Sequence, residues 1–466
     1  MTRYIQMDQK DPMEALCRMV VETKYSDLSF DVINHAKRSI LDTVAVMAGG
    51  SAMEGISSVV DLVKDKGGKP ESILPFYGGK FPASEVAFAI GPMARAMDMG
   101  DAHPEGGHSS EYTVPTLLAA SGLRDQISGK EFITAYAVGQ EVLIRIGIAF
   151  NYMREGVPLG RSSGHYIFGS VAAAGKLLGL SLEELRNAEG IARAMTQPHD
   201  GGMYDEGTLM VRIHHGFVCQ DSINACLLAK QGITGTTREV LSGTKGYLGF
   251  AKWRTLPTAL TEELGERWEM LNTMMKFYPS CNCAHTSISG IIGLMKEHNF
   301  EAEDIAYIIC DESPLNWSTV CEPKHLKWNP KTTSECQFSL PYLIATAAFD
   351  KHISLDSYTS HAKERKDVRK LMTRISAKRD PQLALYGARV NITLKNGREF
   401  SKECSYAKGD PKNPFTDQEL IGKFKICASH AANRLGEKAI DSVIRAATKL
   451  EETNNVVNAL ILPLSP

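Results

Sequence analysis

Between residues 30 and 48 the apolar side chains Val32, Ile33, Ala36, Ile40, Leu41, Val44 and Met47 recur at steps of three and four, and the run meets Gly49-Gly50. That spacing lines one face of a helix, and the paired glycines predict where it stops. The same period governs the chain to about residue 265. One helix is expected from near Val114, and another over Gly169 to Leu178, whose small side chains permit close helix packing. Ser181-Leu-Glu-Glu184 reads as a capping box that opens the next, with Leu182, Leu185, Ala188 and Ile191 on one face. Phe217 to Gln231 is predicted helical up to Gly232. So sustained a helical period predicts one large helical domain.

After residue 270 the period changes. Ile305 to Cys310 is a short β-branched run bounded by acidic residues, and Val390, Ile392 and Leu394 alternate with polar residues before Asn396-Gly397, a hairpin signal. Helices are expected over Ser339 to Phe349 and Lys363 to Arg374, and again from Asp417 to Leu450. The fold class expected is therefore mainly α with an α+β part. Residues 1–268 form the all-helical domain, 405–466 return to it, and 269–404 make a smaller α+β lid, with the cleft between them as the default ligand site.

Composition narrows the partner. A formal charge of −2 over 466 residues leaves no basic face for nucleic acid or an anionic membrane, so a small molecule is expected. Met1 to Lys10 is polar where a secretory signal is apolar, and 18 consecutive apolar residues occur nowhere, which predicts a cytoplasmic protein. The ten cysteines lack a framework of paired spacings, as expected of reduced thiols. Cys281-Asn-Cys283 is their one close pair, too few for a structural zinc or an iron–sulfur cluster without distant partners.

Chemistry concentrates in residues 98 to 116. Asp98, Asp101, His103 and His108 stand among Gly100, Gly106 and Gly107 just ahead of an apolar helix. Two carboxylates and two imidazoles at a helix N-terminus are general acid/base equipment, suited to removing a proton next to a carboxylate. The same residues also serve as caps and turn formers. A metal site is a third reading, although the glycine-broken spacing gives no helical i, i+4 ligand pair. Three further clusters could meet this loop. Arg161-Ser-Ser-Gly-His165 could bind a carboxylate or supply a cap and a buried His; Arg212-Ile-His214-His215-Gly216 brings a cation and two imidazoles into a helix. Lys276-Phe-Tyr278-Pro leads to His285 at the expected domain junction. A half-buried Lys276 could bind a carboxylate or, with a lowered pKa, act as a base.

The chain resembles the MmgE/PrpD family, which includes 2-methylcitrate dehydratase, cis-aconitate decarboxylase and iminodisuccinate epimerase. The likeness runs through Ile40-Leu-Asp-Thr43, the Asp98 to Pro115 loop, Gly169 to Leu180, Met210 to Gly216, Lys276-Phe-Tyr-Pro279 to His285, Phe338-Ser339, Asn396-Gly397 and Lys423-Phe424. It implies a helical domain with an α+β lid, a homodimer, and cofactor-free chemistry on small di- or tricarboxylates. By position, Asp98, Asp101 and His108 match the acidic-loop residues, Lys276 the basic residue before the Tyr-Pro turn, and His285 the imidazole after it. Gly100 stands where the family has the first of consecutive aspartates, and Gly160 where it has a histidine. The family lysine near Met210 is missing, which leaves Arg212 to hold the charge.

The expected function is a cofactor-independent lyase on a citrate-, 2-methylcitrate- or aconitate-like acid. Dehydratase ranks first, decarboxylase second and epimerase third. Arg212 and Lys276 hold carboxylates; His108, oriented by Asp98 and Asp101, removes the proton; His285 protonates what leaves or the carbanion. His103, His165, His215 and Tyr278 complete the substrate contacts. A protein of this fold that binds a carboxylate without turnover is the alternative class.

Overall fold

Two hydrophobic cores organise the computed structural model, which describes residues 11–150, 163–196, 203, 206–251 and 254–466. The larger core draws on residues from Met13 to Met275 and again from Phe415 to Leu464; the smaller runs from Tyr278 to Leu394. The returning tail thus buries Phe424 and Leu450 with the first part of the chain.

The larger core is helical. Its elements are α1 (Pro12–Glu22), α2 (Phe30–Gly50), α3 (Ile56–Lys66), α4 (Ala83–Arg95), α5 (Ser110–Ala120), α6 (Gly129–Phe150), α7 (Tyr166–Leu178), α8 (Leu182–Met195) and α9 (Met210–Lys230). Local chemistry starts them: Asp11 accepts from Met13 N–H at 2.9 Å, and the Ser181–Glu184 capping box opens α8 as expected. α2 ends at Gly50, as the paired glycines predict, and both glycines also serve packing. A Cβ at Gly49 would sit 3.1 Å from the Cys427 carbonyl oxygen, and one at Gly50 2.9 Å from the Met93 carbonyl carbon. These glycines let neighbouring backbones close on α2.

Two boundaries differ from expectation. The helix expected near Val114 starts at Ser110, and α9 starts about two turns before Phe217, taking in Arg212, His214 and His215. Their polar side chains broke the apolar pattern without breaking the helix. α9 lies against α4 because both carry glycine at the crossing: a Cβ on Gly91 would stand 3.1 Å from Gly216 Cα. That approach brings Arg212 and His215 beside the end of α4. α6 is long and apolar enough to cross a bilayer, yet 94% of its apolar window is buried within the fold, as in a core helix.

Four two-residue strands pair as β1 (Ser72–Ile73) with β2 (Lys80–Phe81) and β3 (Asp101–Ala102) with β4 (Met274–Met275). The smaller core is built on one sheet of β5 (Ile305–Glu312), β6 (Ile375–Arg379), β7 (Ala388–Leu394) and β8 (Glu399–Cys404), in the order β6-β5-β7-β8. β5 and β6 run parallel and the other pairs antiparallel. Val390, Ile392 and Leu394 face inward as the alternation predicts. Their hairpin closes through a three-residue loop, Leu394 N–H donating to Arg398 O at 2.8 Å, with Gly397 at φ +82°. α10 (His285–His298), α11 (Leu340–Asp350) and α12 (Lys366–Met372) complete this part, and the tail forms α13 (Asp417–Ser429) and α14 (Glu437–Thr448).

Candidate active site

The 98–111 segment lies where the two cores meet. β3 binds it to the strand just before Lys276, and Gln337 Nε2, from the smaller core's side, donates to Met97 O at 2.8 Å. Arg95 ends α4, and the chain then turns through Asp98 at φ +50°, a left-handed conformation that Asp tolerates. The turn buries the Asp98 carboxylate between Arg95 Nη1 and Lys276 Nζ, the latter at 2.7 Å. Burial alone raises the pKa of Asp98, but Arg95 and Lys276 outweigh it and hold it at about 2. Two buried cations therefore share one carboxylate.

Asp101 serves the helix that follows. Its carboxylate accepts from Ser110 N–H at 3.0 Å, Ser110 Oγ at 2.5 Å and Ser109 Oγ at 3.0 Å, closing the N-terminus of α5. Its backbone carbonyl, rather than its carboxylate, accepts from His108 Nδ1 at 2.7 Å. A carbonyl only accepts, so Nδ1 carries the proton and Nε2 keeps its lone pair. The His108 side chain is 22% exposed, unlike its sealed neighbours. Desolvation, reinforced by Lys276 and Arg95, pushes its pKa well down, so the resting ring is neutral.

Glu111, on the first turn of α5, completes the cluster and has no exposed surface. Its Oε2 stands 3.2 Å from His215 Nε2 and 3.7 Å from Arg95 Nη1, and its Oε1 3.8 Å from His108 Nδ1. Among the described residues neither oxygen finds a hydrogen-bond donor, and burial drives its pKa up to about 8. His215 is held flat against Tyr112 at 4.1 Å between ring centres, and Tyr112 stacks on Tyr166 at 4.3 Å. Arg212 is buried close to Arg95 and Asp98; its Nη1 donates to Glu54 O at 3.1 Å while its Nε has no partner. Lys423 crosses from α13 to pair with Asp42 at 2.7 Å and to donate to Lys276 O at 2.7 Å and Met99 O at 2.9 Å.

The expected residues thus divide. Asp98, Asp101, His108, Lys276, Arg212 and His215 converge. Lys276 is engaged by Asp98 through its side chain and, at 3.3 Å, its carbonyl, which suits a structural cation rather than a base. His103 and His165 hold the loop instead of facing a ligand: His103 Nδ1 accepts from Gly106 N–H at 2.8 Å and Glu105 N–H at 3.1 Å, and His165 Nε2 donates to Gly106 O at 3.0 Å. His285 donates from Nε2 to Ser280 O at 3.2 Å, and burial lowers its pKa to about 3. That tautomer makes Nδ1 an acceptor, unsuited to donate a proton at rest. Tyr278 packs in the smaller core, edge-on to His285 at 5.2 Å. Gly160, Arg161 and Ser162 lie outside the described residues. Arg95, Glu111 and Gln337 were not anticipated. Arg95 reads in sequence as a cation ending a helix and Glu111 as an ordinary first-turn acid. Among the described residues no three His, Cys, Asp or Glu side chains converge as a metal-binding group.

The MmgE/PrpD N-terminal domain model matches residues 14–254 and the C-terminal domain model residues 278–449, so the chain belongs to the MmgE/PrpD family. It is 27% identical to a cis-aconitate decarboxylase-like protein, oryM, of Aspergillus oryzae, over 96% of each chain. It is 25% identical to cis-aconitate decarboxylase of Mus musculus, over 95% of this chain and 91% of that one. Identity to cis-aconitate decarboxylase of Aspergillus terreus is 24%, over 96% of each.

Proposed function

We propose that this member of the MmgE/PrpD family is a cofactor-independent lyase that decarboxylates a small polycarboxylate of the cis-aconitate kind. The observation that carries the reading is His108, a partly exposed imidazole with its Nε2 lone pair available, set beside the buried cations Arg95 and Lys276 that both meet Asp98. The relatives' names favour loss of CO₂ over the hydro-lyase reaction expected from sequence. Both reactions pass through a carbanion next to a carboxylate, so the same machinery serves either.

In this mechanism Arg212, with the charge of Arg95 and Lys276, receives the substrate carboxylates. The bound anion favours the imidazolium form of His108, so a proton is taken up at Nε2 after binding. Breaking the C–CO₂ bond leaves the electron pair on carbon, where the cations stabilise it, and His108 Nε2–H returns the proton there. Asp98 fixes the cations, Asp101 fixes His108 through its carbonyl, and His103 and His165 hold the loop in shape. Met210, Phe217 and Leu228 lie exposed on one face of α9, which supports a homodimer; sedimentation of the wild type against Phe217→Glu tests it.

The test is proton NMR in D₂O with cis-aconitate, citrate and 2-methylcitrate, together with CO₂ detection. Stoichiometric CO₂ and one deuteron in the product are expected from cis-aconitate. Water elimination from citrate or 2-methylcitrate without CO₂ would replace decarboxylase by dehydratase. Binding without exchange or conversion would overturn both.

A further inference from the structure

Gly100 and Glu111 occupy one volume. A Cβ added at Gly100 would lie 2.7 Å from Glu111 Cγ and 2.9 Å from Cδ, distances that real Cβ atoms do not show. Position 100 therefore excludes any side chain while the Glu111 carboxyl sits where it does. The carboxyl is ringed by Arg95 from α4, Asp98 and Asp101 from the loop and β3, His108, His215 from α9, and Lys276 after β4. It is sealed from solvent and finds no hydrogen-bond donor among the described residues, so an ionised Glu111 would stand desolvated with nothing to receive its lone pairs.

We propose that Glu111, seated in the volume Gly100 leaves open, is a positioning residue that works as a neutral acid: it packs Arg95, His108 and His215 in place without cancelling the cationic charge that receives the substrate. The charge count explains why neutrality matters. Asp98 already faces both Arg95 and Lys276; a second anion 3.7 Å from Arg95 would add negative charge where the incoming carboxylate must be received. A pKa raised by burial to about 8 agrees with this placement. The proposal rests on the lyase reading for the identity of the ligand and on geometry for the state of Glu111.

Two measurements test it. Tricarballylate, a saturated tricarboxylate, is titrated calorimetrically between pH 7 and 9.5 in two buffers of different ionisation heat. Beyond the dependence due to proton uptake at His108, wild-type Kd should weaken above about pH 8 by a further factor approaching tenfold per pH unit, with extra proton uptake on binding; the isosteric Glu111→Gln variant should lose that added factor and the extra proton and keep only the His108-linked part. An identical pH dependence in the two proteins would overturn the proposal. Infrared difference spectra of wild type minus Glu111→Gln, without ligand, should show a protonated carboxyl band at pH 7 that is lost by pH 9.5. No such band at pH 7 sinks the neutral acid whatever binds. If tricarballylate fails to bind at any pH although the band is present, the lyase reading falls and takes Glu111's part in binding with it.

Discussion

Two buried glutamates make an instructive pair. Glu111 in the helical part and Glu312 at the end of β5 are both fully enclosed, and burial lifts both pKa values to about 8. Glu312 has partners: Ser287 Oγ donates to one oxygen, and Asn316 Nδ2 donates to the other at 3.0 Å. Glu111 has neighbours of charge and none of geometry, with two imidazoles and a guanidinium standing 3.2 to 3.8 Å away. A raised pKa alone therefore does not mark function. What separates the two regions is whether the surroundings satisfy the acid or leave it poised.

The contrast can be tested from both sides. The largest effect is expected beside Glu111: His108→Ala should lower turnover by roughly 10² to 10⁴ while tricarballylate binding and Tm stay near wild type. A matching fall in Tm would assign His108 to the scaffold. In the other region Glu312→Ala should cost on the order of 3 kcal/mol in denaturant unfolding, because Ser287 and Asn316 lose their acceptor, with KM for substrate unchanged. A changed KM at equal stability would erase the distinction. Gly100→Ala should destabilise by about 1–3 kcal/mol through overpacking, and most of that should return in the Gly100→Ala, Glu111→Ala double variant. Additive losses would show that the two positions do not share space.

The smallest effect is on pH dependence. Folded pKa values near 8 lie above the ordinary carboxyl value, so the stability contributed by Glu111 and Glu312 is full below about 4.5 and is lost as pH rises through about 8. His103 and His285, held at about 3 by burial, act oppositely: their contribution is full above about 6.5 and is lost as pH falls through about 3. Tm measured from pH 4 to 9.5 should trace a dome, and Glu312→Gln should flatten only its alkaline side. An unchanged alkaline limb would show that Glu312 is not protonated in the fold.

Much of the architecture was readable because period reports burial. The 30–48 repeat, the Ser181 capping box and the 390–394 alternation each became the element they announced. β6 escapes the sequence reading because Ile375-Ser-Ala-Lys-Arg379 is only five residues long and carries a single large apolar side chain, Ile375, its one buried residue. Gly49-Gly50 marked the end of its helix but hid a second part: a glycine that ends a helix and one that admits a neighbouring backbone are the same letter, and only the approach of Met93 and Cys427 reveals the latter. In the site, residue type exposed the Asp98–His108 loop. Nothing local distinguishes Glu111 or Arg95 from solvated first-turn and last-turn charges, since their meaning comes from α9 crossing α4.

The Lys423 ammonium, finally, bears on when these segments are joined. Its three partners are Asp42 in the second helix, Met99 in the 98–111 segment and Lys276 at the junction, and it arrives only with the tail. During synthesis Lys423 must leave the ribosome before that knot can be tied. A chain cut before Lys423 would lack the lysine that joins these segments, so the second helix, the loop and the junction are tied together late rather than as each emerges.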